Sequence, residues 1–118
     1  MRRSIRDRQI VFRHEDGCLV RTVTGADGRS YTHRCELAVY ERVAWALQET
    51  PAEGRGITLA EIAAAEDVPH TQVDVTLAFL HERGIIDRRH RRNYPASDSA
   101  HLEAMIEWHA LREKPTLT

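Results

Sequence analysis

The hydrophobic period of this chain changes near residue 36, and that change restricts the fold more than any other feature. Upstream, β-branched and aromatic residues come in three short runs, at 9–14 (QIVFRH), 18–24 (CLVRTVT) and 29–34 (RSYTHR). Glu15-Asp16-Gly17 and Gly25-Ala26-Asp27-Gly28 separate them. Strand-forming runs divided by Asp-Gly turns predict a three-stranded antiparallel meander. Downstream, Leu37, Tyr40, Val43, Ala44 and Leu47 recur at helical spacing, so an amphipathic helix is expected over 36–49. A small sheet needs one face covered, and the helices that follow are the only candidates. The expected class is therefore α+β. At 118 residues the chain suffices for one domain and not two. Its parts are a β-meander over 1–35, a central segment over 36–95, and a C-terminal helix and tail over 96–118.

Punctuation divides the central segment. Residues 50–56 (TPAEGRG) break the first helix, because Pro and Gly cannot continue it cheaply. Thr58-Leu59-Ala60-Glu61 is a capping box, and it opens a short helix running to Ala65. Glu66-Asp67-Val68-Pro69 is a turn. A third helix over 70–83 buries Val73, Leu77 and Leu80, and Gly84 stops it. Ile85-Ile86 starts a strand, 87–92 is a charged turn, and Asn93-Tyr94 returns. Pro95 opens a linker to a last helix over 98–113. That helix carries an apolar stripe of Leu102, Met105 and Ile106 with His109, widened by Trp108 and Leu111.

The segment TLAEIAAAEDVPHTQVDVTLAFLHERGII (58–86) resembles the winged helix-turn-helix superfamily of bacterial transcriptional regulators. With the first helix and a wing at 85–95, the resemblance covers about half the chain. It implies that Gly56-Ile57 is a short strand paired with the wing. It implies that helix 70–83 enters the major groove of double-stranded DNA, with His70, Thr71, Gln72, Asp74 and Thr76 outward. Gln72 would read adenine by a bidentate pair, and Thr71 a base or phosphate. Arg88, Arg89, Arg91 and Arg92 would be a basic wing on the backbone or minor groove. The resemblance also implies a homodimer through the C-terminal helix reading a palindromic site; the other cover for that helix is the chain's own first helix. Trp45, off the main stripe of the first helix, is a further interface residue unless the sheet covers it.

Charge is arranged in blocks that the net value of −1 conceals. Residues 1–34 carry eight Arg against four acids, and 83–94 carry five Arg against one. Residues 35–82 carry nine acids against two Arg. If those nine faced DNA they would oppose the phosphate attraction that supplies most non-specific affinity. The alternative reading is therefore a protein-interaction winged helix or scaffold without DNA binding. Arg2, Arg3, Arg6 and Arg8 are either a second phosphate-contacting arm or a plain tail.

Two cysteines are present, Cys18 and Cys35. A four-residue second turn sets them opposite one another, and the expected pairing of the first hairpin sets His14 beside Cys18. Strand alternation then brings His14, Cys18, His33 and Cys35 to one sheet face, with Ile10, Phe12, Val20 and Tyr31. Two thiols and two imidazoles are a zinc ligand set, but this spacing matches no knuckle pattern. A Cys18–Cys35 disulfide is disfavoured in a reducing compartment. Buried thiols in a small core are the reading adopted, with no metal and no cofactor. The phosphate-binding, nucleophile-elbow and zinc-protease motifs are missing, so no enzyme is expected. Cys35 with His33 is the one nucleophile-base pair on offer, and strand neighbours are not placed to transfer a proton. No apolar run approaches the roughly 20 residues of a membrane span, and no secretory signal is visible. The expected location is cytoplasmic.

Overall fold

A computed structural model describes residues 8–114. Arg2, Arg3 and Arg6 of the basic N-terminal segment lie outside the described residues. The fold is mixed α+β. Three strands, β1 (Gln9–Glu15), β2 (Cys18–Thr24) and β3 (Ser30–Glu36), form an antiparallel sheet in sequence order. Helix α1 (Leu37–Gln48) follows, then β4 (Ile57–Thr58), α2 (Leu59–Glu66), α3 (His70–Glu82), β5 (Ile86–Arg89), β6 (Arg92–Pro95) and α4 (Ala100–Glu113). The short strands make a second sheet in the order β4-β6-β5. Among the described residues, no helix is long and apolar enough to cross a membrane.

Local chemistry accounts for most of these boundaries. Asp16 and Gly17, at φ 52° and 78°, form the two-residue turn that joins β1 to β2 with the strand twist preserved. The capping box at α2 is complete: Thr58 Oγ1 accepts from the Glu61 N–H at 3.1 Å, and the Glu61 carboxylate accepts from the Thr58 N–H at 2.9 Å. Asp67 takes the left-handed conformation (φ 55°) that ends α2 and turns the chain into α3.

The hairpin registers differ from the expected ones by one residue, and the difference dissolves the cysteine-histidine cluster. The tight Asp16-Gly17 turn pairs Glu15 with Cys18 and His14 with Leu19. The second loop holds five residues, closed by the Gly25 N–H on the Arg29 carbonyl at 2.7 Å, so Cys18 pairs with Glu36 and Leu19 with Cys35. A one-residue slip moves side chains to the other face. His14, His33 and Cys35 therefore share the inner face, and Cys18 lies on the outer one with Val20. Val20 is fully buried there, flanked in register by Arg13 and Arg34, which both reach the Glu15 carboxylate. Among the described residues no cluster is placed to hold a metal ion.

The two thiols also differ in chemistry. Cys35 is buried, and its Sγ lies 3.1 Å from Thr76 Oγ1. Burial pushes its thiol up to about 12, against the smaller opposing pull of the Thr76 hydrogen bond. At pH 8 a maleimide reagent is expected to label native protein once, at half-buried Cys18, and twice only in denaturant. Rapid native labelling of Cys35, or a bridge between the two, would contradict this placement.

The core lies between the first sheet and the helices. α3 is its centre: it packs against β2 and β3 on one side and α1 and α2 on the other. Val73, Val75, Thr76, Leu77, Phe79 and Leu80 are all buried, more than the one-sided stripe expected from spacing. Phe12 of β1 meets Phe79 edge-on at 5.3 Å, and Tyr40 of α1 lies against both Phe79 and Trp108. The Tyr40 hydroxyl donates to the Ala104 carbonyl.

α4 buries Ala100, Ala104, Trp108 and Leu111, so the expected stripe is divided: Trp108 and Leu111 are inside, and Leu102 and Ile106 are left outside. Leu102 is 60% exposed and Ile106 54%, while Met105 is half-buried. Small alanines at the contact let the first turns of α4 lie close to α1, with Leu102 and Ile106 turned outward. Trp45 is not covered by the sheet; it stacks on His101 of α4 at 3.8 Å and stays half exposed.

His14 packs its ring edge-on against Trp108 at 5.1 Å. Desolvation, and then the nearby Arg112 and His109 charges, hold its pKa below the ordinary value of 6.5. Below that value the unfolded chain takes up a proton that native His14 resists. His14 thus costs no stability above pH 6.5 and lowers it progressively as the pH falls through and below that value. Urea midpoints at pH 7.5 and 5.5 are expected to fall less with acid in His14→Gln than in the parent chain.

Candidate nucleic-acid interface

A cleft of about 430 Å³ opens where α3, the start of α2 and the β5–β6 hairpin converge. Thr58, Leu59 and Ala60 form one wall, His70, Asp74 and Leu77 of α3 the floor, and Arg88, Arg91 and Asn93 the other wall. The three α3 residues recur at i, i+4 and i+7, so one helical stripe faces the opening.

The hairpin is set by its pairing. Ile57 pairs with Asn93 and Thr58 with Arg92, and the buried Asn93 amide donates to the Ile57 carbonyl at 2.9 Å. β5 and β6 are joined by His90 and Arg91, both at positive φ (52° and 69°). Strand alternation then divides the four arginines between two faces. Arg88 and Arg91 line the cleft, with Arg88 Nε 3.4 Å from Asn93 Oδ1. Arg89 lies over the Tyr94 ring at 3.8 Å on the opposite face. Arg92 is held there too, 3.5 Å from Glu61 and 3.4 Å from the Arg55 carbonyl. The basic cluster expected from sequence is present, but only half of it faces the cleft.

The α3 residues also divide. His70 and Thr71 are exposed at the first turn, as expected. Gln72 is not free to read a base: its Oε1 accepts from the Glu36 N–H at 2.9 Å and so caps the entry to α1. Thr76 is buried, donating to the Gln72 carbonyl at 3.0 Å. Both face the first sheet, because α3 is packed on that side as well.

Of the nine acids between 35 and 82, Asp74 alone lines the cleft. It is paired: Arg21 Nη2 of β2 lies 3.1 Å from Asp74 Oδ2. Arg21 is only 9% exposed and also lies 3.4 Å from His33 Nδ1. Glu61 stands behind Thr58, where its capping hydrogen bond to the Thr58 N–H, and more weakly Arg92 and Arg55, hold its carboxyl below the usual range. Sequence reasoning missed Arg21. The signal was its place between Leu19 and Val23, an inward position in an alternating strand, where an arginine needs a partner.

No family model, no curated protein and no solved structure matches this chain.

Proposed function

We propose that this chain is a winged helix-turn-helix protein that binds double-stranded DNA, with α3 directed at the major groove and the β5–β6 hairpin at the backbone. It acts as a small cytoplasmic transcriptional regulator, not an enzyme. One observation carries the reading: the cleft beside α3 gathers Arg88 and Arg91 with a single carboxylate, and that carboxylate is already neutralised by Arg21. None of the other eight acids of the 35–82 block lines this opening, which favours phosphate there.

Fluorescence anisotropy of a mixed-sequence duplex at several salt concentrations tests it. The expected result is binding that weakens with salt at a log–log slope of about −2 or steeper, one phosphate neutralised per cleft arginine at least. The Arg88/Arg91/Arg89/Arg92→Ala variant is expected to lose it. Absence of binding by the parent chain at low salt would reject the reading.

The exposure of Trp45 on α1 and of Leu102 and Ile106 on α4 favours a second reading, protein contact through these helices, with a second copy as the simplest partner. Sedimentation velocity decides it: a dimer that Ile106→Glu disperses supports that contact, and a monomeric parent chain rejects the homodimer.

A further inference from the structure

We infer that Asp74, held by the buried Arg21, is the base-reading group of the cleft and selects an amino-bearing base, cytosine first. This rests on the DNA-binding reading above. An acid on a DNA-facing helix would ordinarily repel phosphate, and here that repulsion is offset from beneath. Arg21 rises from the inner face of β2, fixed in register between Phe12 and His33. Phe12 is itself packed on Phe79 of α3, so the arginine is anchored to the helix it serves. Its guanidinium meets one carboxylate oxygen at 3.1 Å. Among the described residues no other donor engages the Asp74 carboxylate, and its side chain is 43% exposed.

The carboxylate is an acceptor only. Two bases offer an amino donor in the major groove, cytosine at N4 and adenine at N6. Adenine sets the N7 acceptor beside its amino group, which repels a carboxylate; cytosine has a C–H at the corresponding place. Asp74 therefore favours cytosine over adenine and rejects thymine and guanine, which present acceptors. Gln72, the residue whose type would suit adenine, is committed to the Glu36 N–H.

The test is base selection from a randomised duplex pool by the parent chain, Asp74→Ala and Asp74→Asn, followed by anisotropy on the selected duplex. The parent pool is expected to fix cytosine at one position, and thymine there to weaken binding roughly tenfold. Asp74→Ala is expected to bind both duplexes within about twofold, the preference having gone with the carboxylate. Asp74→Asn keeps an acceptor for Arg21, and so holds the local structure, while the amide N–H donors it presents move the preference from an amino base to one that offers acceptors, guanine or thymine. A parent chain that binds duplex without preferring an amino base, or an alanine variant that still selects cytosine, overturns this inference and leaves the DNA reading standing. No duplex binding at low salt overturns both.

Discussion

Gly56→Ala is expected to lower stability by about 3 kcal/mol and the melting temperature by about 10 °C. Gly56 sits at φ 70°, which costs an L-residue roughly 1–2 kcal/mol. A methyl group there would also stand 2.7 Å from Tyr94 Cζ and 2.9 Å from both Cε atoms, well inside contact distance. Overpacking of that kind adds about 1–3 kcal/mol. The two costs separate in a double-mutant cycle. In a Tyr94→Val background the ring is absent, and Gly56→Ala is expected to cost only the backbone part. Equal costs in the two backgrounds would show that the ring yields freely. The consequence reaches the cleft, because Gly56 leads directly into β4, and β4 positions β6 through Ile57 and Thr58. A chain with the ring displaced is expected to lose duplex affinity in parallel with stability.

That contact shows where sequence reasoning stops. Elements governed by neighbours in sequence were legible. Asp16-Gly17 marks a turn because both residues tolerate positive φ, and Thr58 with Glu61 marks a helix start because the two side chains bond across three residues. Hydrophobic spacing located all four helices to within a few residues. The β5–β6 turn was less legible, because His90 and Arg91 occupy conformations that Asn and Gly usually fill. The charged stretch 87–92 therefore read as one long turn, although it contains the ends of two strands. The second loop of the meander was misread by one residue, since nothing local distinguishes a four-residue loop from a five-residue one around Gly28. That single residue decides whether Cys18 faces Cys35.

Tertiary choices were hidden for a different reason. Spacing names an apolar stripe but not its partner. On α4 the buried face is Ala100, Ala104, Trp108 and Leu111, and the alanines, which spacing of large residues does not name, hold the place given to Leu102 and Ile106. On α3 burial from two sides converted Gln72 and Thr76 from candidate base readers into structural groups. The same two-sided burial brought Arg21 to Asp74 across more than fifty residues of chain. The cleft was thus legible in its basic half and illegible in its acidic half.

The arginine quartet is expected to split in function, with the larger effect on the cleft side. Arg88→Ala with Arg91→Ala removes both hairpin charges that face the opening. Each lost phosphate contact reduces the salt slope by about 0.9, so the pair is expected to flatten it by about 2 and to abolish most non-specific binding. Arg89→Ala with Arg92→Ala removes charges already engaged elsewhere, one over the Tyr94 ring and one beside Glu61. Those contacts are exposed or half-exposed, and their loss is expected to cost about 1 kcal/mol of stability or less. Long-range attraction falls a little with any lost positive charge, so affinity declines slightly in the second pair while the slope changes little. The comparison is internally controlled, since both variants lose two positive charges from the same hairpin. A slope that drops equally in both would mean that phosphate responds to the net charge of the hairpin and not to its faces. A slope that drops only with Arg89 and Arg92 would place the DNA on the Tyr94 side, and the cleft reading would fall with it.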